Sequence, residues 1–113
     1  MKKLLLLAIV ALSLALLPLA MAQIATKGQM LNTTMTLADT EYHVSLGFGI
    51  KSFSVKCRGA YDVRLAFVAG ETATRYVTIP SGQTYYSPPI NAVIHLYFRC
   101  ADAGQVVEID YWN

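Results

Sequence analysis

Several residue types are scarce in this sequence, and each scarcity closes off a class of function. Histidine occurs twice, as His43 and His95, and cysteine twice, as Cys57 and Cys100. There is no C-x-x-C pair and no His, Cys or carboxylate cluster at ligand spacing, so neither a metal centre nor a dithiol redox site is expected. No serine sits in G-x-S-x-G; Ser81 and Ser87 lie in turn-rich stretches, where a hydroxyl has turn chemistry to do. Charged residues make up only 14% of the chain, and no basic face forms, which argues against a nucleic-acid partner. Glu108 and Asp110 stand two apart and point the same way, a spacing that could serve acid–base work or calcium, but alternate acids on a strand read first as a solvated face. Without a nucleophile–base pair or a ligand set, the chain is not expected to be an enzyme or to carry a cofactor.

The long apolar run lies at the start. Met1-Lys2-Lys3 precede Leu4 to Leu17, Pro18 interrupts, and Ala20-Met21-Ala22 supplies an A-x-A site. A short basic region, an apolar stretch and small residues at a cleavage point define a secretory signal peptide over residues 1–22, cut before Gln23. The competing reading is a retained anchor, since a bilayer needs about 20 apolar residues. Cleavage removes Lys2 and Lys3, leaving seven basic and seven acidic residues, so the mature chain is near neutral and resists self-association little. The expected location is extracellular or at the cell surface, with a periplasmic one also compatible, and no membrane contact after cleavage. In an oxidising compartment Cys57 and Cys100 default to a disulfide. The bridge would close a loop of about 44 residues, for which chain entropy gives roughly 4 kcal/mol.

After residue 23 no helical period occurs. Period-2 alternation recurs instead, bounded by Gly, Pro, Asn and Asp. The clearest strand is Ala92 to Cys100, with Ala92, Ile94, Leu96, Phe98 and Cys100 on one face. Ala101-Asp102-Ala103-Gly104 turns the chain into Gln105 to Trp112, which places Val107, Ile109 and Tyr111 inward. These two are expected to form an antiparallel hairpin. Ile50 to Cys57 and Asp62 to Ala69 read as an earlier pair, with Phe53, Val55 and Cys57 inward on the first and Val63, Leu65, Phe67 and Ala69 inward on the second. Weaker strands cover Met30 to Leu37, Thr40 to Leu46, Arg75 to Ile79 and Gln83 to Ser87. Seven or eight strands at roughly 8–12-residue spacing predict an all-β, two-sheet antiparallel sandwich, jelly-roll-like or Ig-like.

Residues 23–38 form an N-terminal strand segment ahead of the sandwich at 39–113. Leu31, Met35 and Leu37 alternate there with Thr or Asn, and only Lys27 is charged. Such a segment pairs first with its own sheet, and can also add to a neighbour's as a donor strand. Tyr85-Tyr86-Ser87-Pro88-Pro89 reads as an aromatic loop of restricted shape, and Tyr97 and Trp112 point outward. Exposed Tyr and Trp suit protein contacts or stacking on sugar rings. Asn32-Thr33-Thr34 fits the N-glycosylation acceptor pattern.

Three stretches, Asp62-Val63-Arg64-Leu65-Ala66-Phe67, Ile79-Pro80-Ser81-Gly82-Gln83-Thr84-Tyr85 and Leu96-Tyr97-Phe98-Arg99, with the closing run Ala103 to Trp112, resemble small β-sandwich modules of virion-associated and other extracellular assembly proteins. The leader departs from virion proteins and is more similar to jelly-roll subunits of extracellular filaments, which exchange strands between neighbours. That resemblance implies an extracellular structural subunit whose partners are copies of itself. The alternative is a monomeric module binding a glycan or surface protein through its tyrosines and tryptophan.

Overall fold

The computed structural model describes residues 28–113; the signal peptide expected over 1–22 and residues 23–27 lie outside them. Eight strands follow in order: β1 (Gly28–Met35), β2 (Tyr42–Ser45), β3 (Ser52–Cys57), β4 (Val63–Ala66), β5 (Val77–Ile79), β6 (Thr84–Tyr86), β7 (His95–Arg99) and β8 (Gln105–Trp112). A single 3-10 turn, Glu71–Ala73, joins β4 to β5. The strands form two four-stranded sheets. Sheet I has the order β1-β8-β3-β6 and sheet II the order β2-β7-β4-β5, with every neighbouring pair antiparallel.

Each connection except that from β4 to β5 carries the chain from one sheet to the other. Eight strands wound this way are a jelly roll, which decides between the two sandwich types the pattern allowed. It also corrects both expected hairpins. β7 lies in sheet II between β2 and β4, whereas β8 lies in sheet I between β1 and β3; β3 and β4 are likewise split between the sheets. The physical reason is that alternation specifies which face of a strand meets the core, and that requirement is the same whether the next strand lies beside it or across the sandwich. The corner at residues 101–104 makes the crossing: Gly104 takes φ 78°, and its N–H donates to the Met35 carbonyl at 2.7 Å, tying the corner to the end of β1.

The core forms where the inner faces meet. Sheet II supplies Val63, Leu65, Ile79, Leu96 and Phe98; sheet I supplies Met35, Phe53, Val55, Val107 and Ile109; Leu46 and Ile50 close one end. Two strands stop earlier than their alternation suggests. β4 ends at Ala66, so Phe67 and Ala69 are exposed rather than inward, and the Phe67 ring meets Phe53 edge-on at 6.2 Å. β1 ends at Met35, and Leu37 is exposed. The Tyr42 hydroxyl accepts the Leu37 N–H at 2.9 Å and bonds the Thr36 hydroxyl at 3.0 Å, turning the chain outward toward Asp39, which holds φ 50°.

The two cysteines of the expected disulfide come from opposite sheets, Cys57 half-buried at the end of β3 and Cys100 buried just after β7, and no bond joins them in the structure. Burial pushes the Cys100 thiol above its ordinary range, the Asp102 N–H opposes this, and the charge of Cys57 adds to it.

Candidate functional site

A sheet exposes unpaired N–H and C=O groups only at its edges, and this sandwich has four. β6 and β5 are three residues each, β6 running on into Pro88-Pro89 and β5 into Pro80, and β2 is four residues. Short strands and prolines are common means of blunting an edge. β1 is different: Gly-Gln-Met-Leu-Asn-Thr-Thr-Met, eight residues with no charge and no proline. It pairs along its whole length with β8, from Gly28 opposite Trp112 to Met35 opposite Gln105, and among the described residues no strand pairs with its other side. Own-sheet pairing is therefore the arrangement of residues 28–35, with the sandwich complete from its own strands. Leu31 and Met35 consequently face the core, Met35 at 0% exposure and Leu31 half-buried.

Register places the outer face of sheet I in rows. Met30, Asp110, Ser54 and Tyr86 lie in one, with Met30 80% exposed and Tyr86 exposed at the far edge. Asn32, Glu108, Lys56 and Thr84 lie in the next. There Glu108 faces Lys56 at 4.0 Å and Arg58 at 3.7 Å, so the carboxylate read as part of a solvated face is engaged in surface ion pairs, worth roughly 0–1 kcal/mol each. Asn32, the glycosylation-pattern residue, lies in β1 within this polar row, where its amide, turned to satisfy both its groups, accepts from Arg58 Nη2 at 3.0 Å. At the end of the edge, Trp112 covers Gly28 so closely that a Cβ there would stand 2.8 Å from its Nε1. A cleft of about 250 Å³ opens between Gly28, Gln29, Met30, Asp110 and Trp112.

The four aromatic contact candidates do not converge. Tyr85 and Tyr86 belong to β6, within the strand expected over Gln83 to Ser87, and not to the aromatic loop; Tyr85 turns inward against Phe53 and Phe67, and Tyr86 outward. Tyr97 is on the opposite sheet, stacked on His43 with ring centroids 4.6 Å apart. His43 Nε2 in turn lies 3.0 Å from His95 Nδ1.

The outer face of sheet II also holds a feature that one-strand-at-a-time reading missed. Arg64 and Arg99 are direct cross-strand partners. Like charges in that position destabilise a sheet by a few tenths to about 1 kcal/mol. Arg64 lies over the Tyr76 ring, 4.4 Å from its centroid, and the Arg99 Nε is buried without a hydrogen-bond partner. A cavity of about 260 Å³ opens between them, with Asp39, Asp62 and Thr78 on its walls. Two neighbouring carboxylates have partners outside the cavity's arginines. Asp62 Oδ1 accepts the Ser81 N–H at 2.7 Å. Glu41 accepts from the Gly70 N–H at 2.9 Å, the Thr72 hydroxyl at 2.6 Å and the Thr72 N–H at 3.3 Å. The Glu41 carboxyl is held below the usual carboxylate range first by the Thr72 hydroxyl, against a desolvation cost, and then by the two backbone N–H groups and the Arg99 charge. Phe48, 86% exposed between Gly47 and Gly49, is a second apolar surface residue that the strand pattern passed over. Among the described residues no group of three His, Cys, Asp or Glu is placed to hold a metal ion.

No known protein family matches the sequence, and neither does any curated protein. Solved structures that it resembles in outline include a de novo designed double-stranded β-helix, with TM-score 0.47, 10% identity and coverage of 77% of this chain and 99% of that one. Another belongs to the endospore appendages of Bacillus, described as disulfide-linked pili, with TM-score 0.43, 12% identity and coverage of 77% and 86%. A third is the periplasmic inhibitor of g-type lysozyme from Aeromonas hydrophila, with TM-score 0.45, 10% identity and coverage of 78% and 86%. Likeness at this level carries no functional argument, so the reading that follows rests on the chain's own surfaces.

Proposed function

We propose that this chain is an extracellular, non-enzymatic structural subunit that self-associates by strand addition at β1. The observation that carries the reading is the contrast among its edges: three are short, and the fourth is an eight-residue uncharged strand with a strongly exposed methionine beside a tryptophan-walled cleft. Backbone pairing with another copy would satisfy the open N–H and C=O groups, and the near-neutral charge does little to oppose contact. Because the sandwich already has its eight strands, the neighbour's strand adds beside β1 rather than filling a gap. If β1 meets β1 the contact is self-complementary and closes as a dimer; if β1 meets a different edge the contact is head-to-tail and grows into a filament or surface layer.

The test is light scattering and negative-stain microscopy on the secreted protein and on the double variant Met30→Lys/Thr34→Lys. Both positions are exposed on the outer side of β1, and lysine is a natural edge guard. The wild type is expected to form dimers or larger regular assemblies, and the variant to remain a folded monomer. A wild type that stays monomeric at high concentration, or a variant that assembles unchanged, overturns the proposal.

A further inference from the structure

We infer that the cavity on the outer face of sheet II, between Arg64 and Arg99, is a binding site for an acidic sugar. This inference is independent of assembly at β1, which lies on the other sheet.

Strand register sets two arginines directly opposite each other on the walls of one cavity, in a chain with few charges. Neither forms an ion pair within 4.0 Å with a carboxylate among the described residues, although Asp39, Asp62 and Glu41 are all nearby. The Glu41 oxygens are occupied by the Gly70–Thr72 segment, and Asp62 takes the Ser81 N–H. Arg99 therefore keeps a buried N–H aimed at no protein acceptor, and Arg64 is steadied flat on Tyr76. A buried donor left unmade is costly, and a guanidinium is built to be satisfied by a two-oxygen anion. An oxyanion placed between the arginines would compensate the Arg99 guanidinium, whose Nε has no protein partner, and relieve the repulsion between the two strands' charges.

The rest of the lining selects what carries that oxyanion. Asp39 and Asp62 would repel a bare anion, but each can accept from hydroxyl groups, and Thr78 can donate or accept. A ligand bearing one acidic group and several hydroxyls matches all of these walls at once. About 260 Å³ equals the liquid volume of roughly eight or nine waters, room for one pyranose ring. The acidic group can be a carboxylate, as in a uronic acid, or a sulfate ester, since both present paired oxygens to a guanidinium fork.

The experiment is a titration of the full secreted protein at constant ionic strength, following the arginine Nε–H resonances by NMR. The probes are glucuronate and glucose 6-sulfate, with glucose, acetate and inorganic sulfate as comparisons. Saturable shifts of the Arg99 Nε–H are expected with glucuronate or glucose 6-sulfate, at lower concentration than with acetate or sulfate, and none with glucose. Which acidic sugar binds tighter identifies the carboxylate or the sulfate as the recognised group. Arg99→Gln is expected to weaken binding by roughly tenfold or more, as is Arg64→Gln, whose exposed site keeps the test informative if the first variant folds poorly. No saturable shift with either sugar, binding no tighter than the bare anions, or undiminished binding in both variants overturns the inference.

Discussion

Glu41 shows how much a single side chain organises near the sheet II groove. Its carboxylate gathers the Gly70 and Thr72 N–H groups and the Thr72 hydroxyl, so the 3-10 turn and its N-cap hang from the residue just before β2. Its folded pKa lies below the ordinary 4.5, so its contribution to stability is present above that value and is lost as pH falls through the folded pKa. Thermal unfolding of wild type and Glu41→Gln is expected to differ at neutral pH and to converge below about pH 4.5; parallel curves across the acid range would show that the carboxylate does not support the turn. The buried Thr72 donates the shortest of these bonds, and Thr72→Val is expected to cost about 1.5–3 kcal/mol in denaturant unfolding, the usual range for a bond to a charged group. The cysteines differ at the same scale. Cys57 is half-buried, whereas Cys100 is buried with its thiol pushed up by desolvation. Since thiolate is the reactive form, alkylation of the reduced native protein followed by mass spectrometry is expected to label Cys57 first and Cys100 only on unfolding. Equal labelling rates would contradict the burial assigned here.

Among the elements, the corner at residues 101–104 and the edge strand matter most. Gly104 holds φ 78° while its N–H ties the corner to Met35, at the point where the chain leaves sheet II for sheet I. Gly104→Ala meets no neighbour within 4 Å, so its cost is backbone strain alone, about 1–2 kcal/mol of unfolding free energy. A loss near zero would mean the corner relaxes to another conformation. The location of β1 was legible in the sequence, and so were its core-facing residues: Leu31, Thr33 and Met35 alternate against Met30, Asn32 and Thr34. That it forms a sheet edge was not legible. An edge is defined by which strand is missing on one side, and no residue of β1 encodes that. Likewise the strand over Gln83 to Ser87 was legible and contains β6, but which of Tyr85 and Tyr86 turns inward was set by pairing with β3.

For the whole molecule, jelly-roll winding makes nearly every strand pairing non-local, which is the topology of slow folders. During that search β1 and its uncharged alternation are the segment best suited to pair with another chain, so the feature that favours ordered assembly is also the one that invites misassembly.

By itself the sequence determined the all-β class, the approximate position of the strands, and the face that each presents to the core. Leu96, Phe98, Val107 and Ile109 are inward because water is excluded from one side of an alternating strand whatever its neighbours are. Tertiary structure decided the rest. Assigning β7 and β8 to different sheets turned an expected hairpin into a sheet-crossing corner. The same winding set Cys57 and Cys100 on opposite sheets, and made β1 an edge strand among the described residues. It also brought Arg64, Arg99 and Asp39, far apart along the chain, around one cavity. Period-2 patterning carries one bit per residue, inside or outside, and the identity of a partner strand depends on the closure of the whole sandwich.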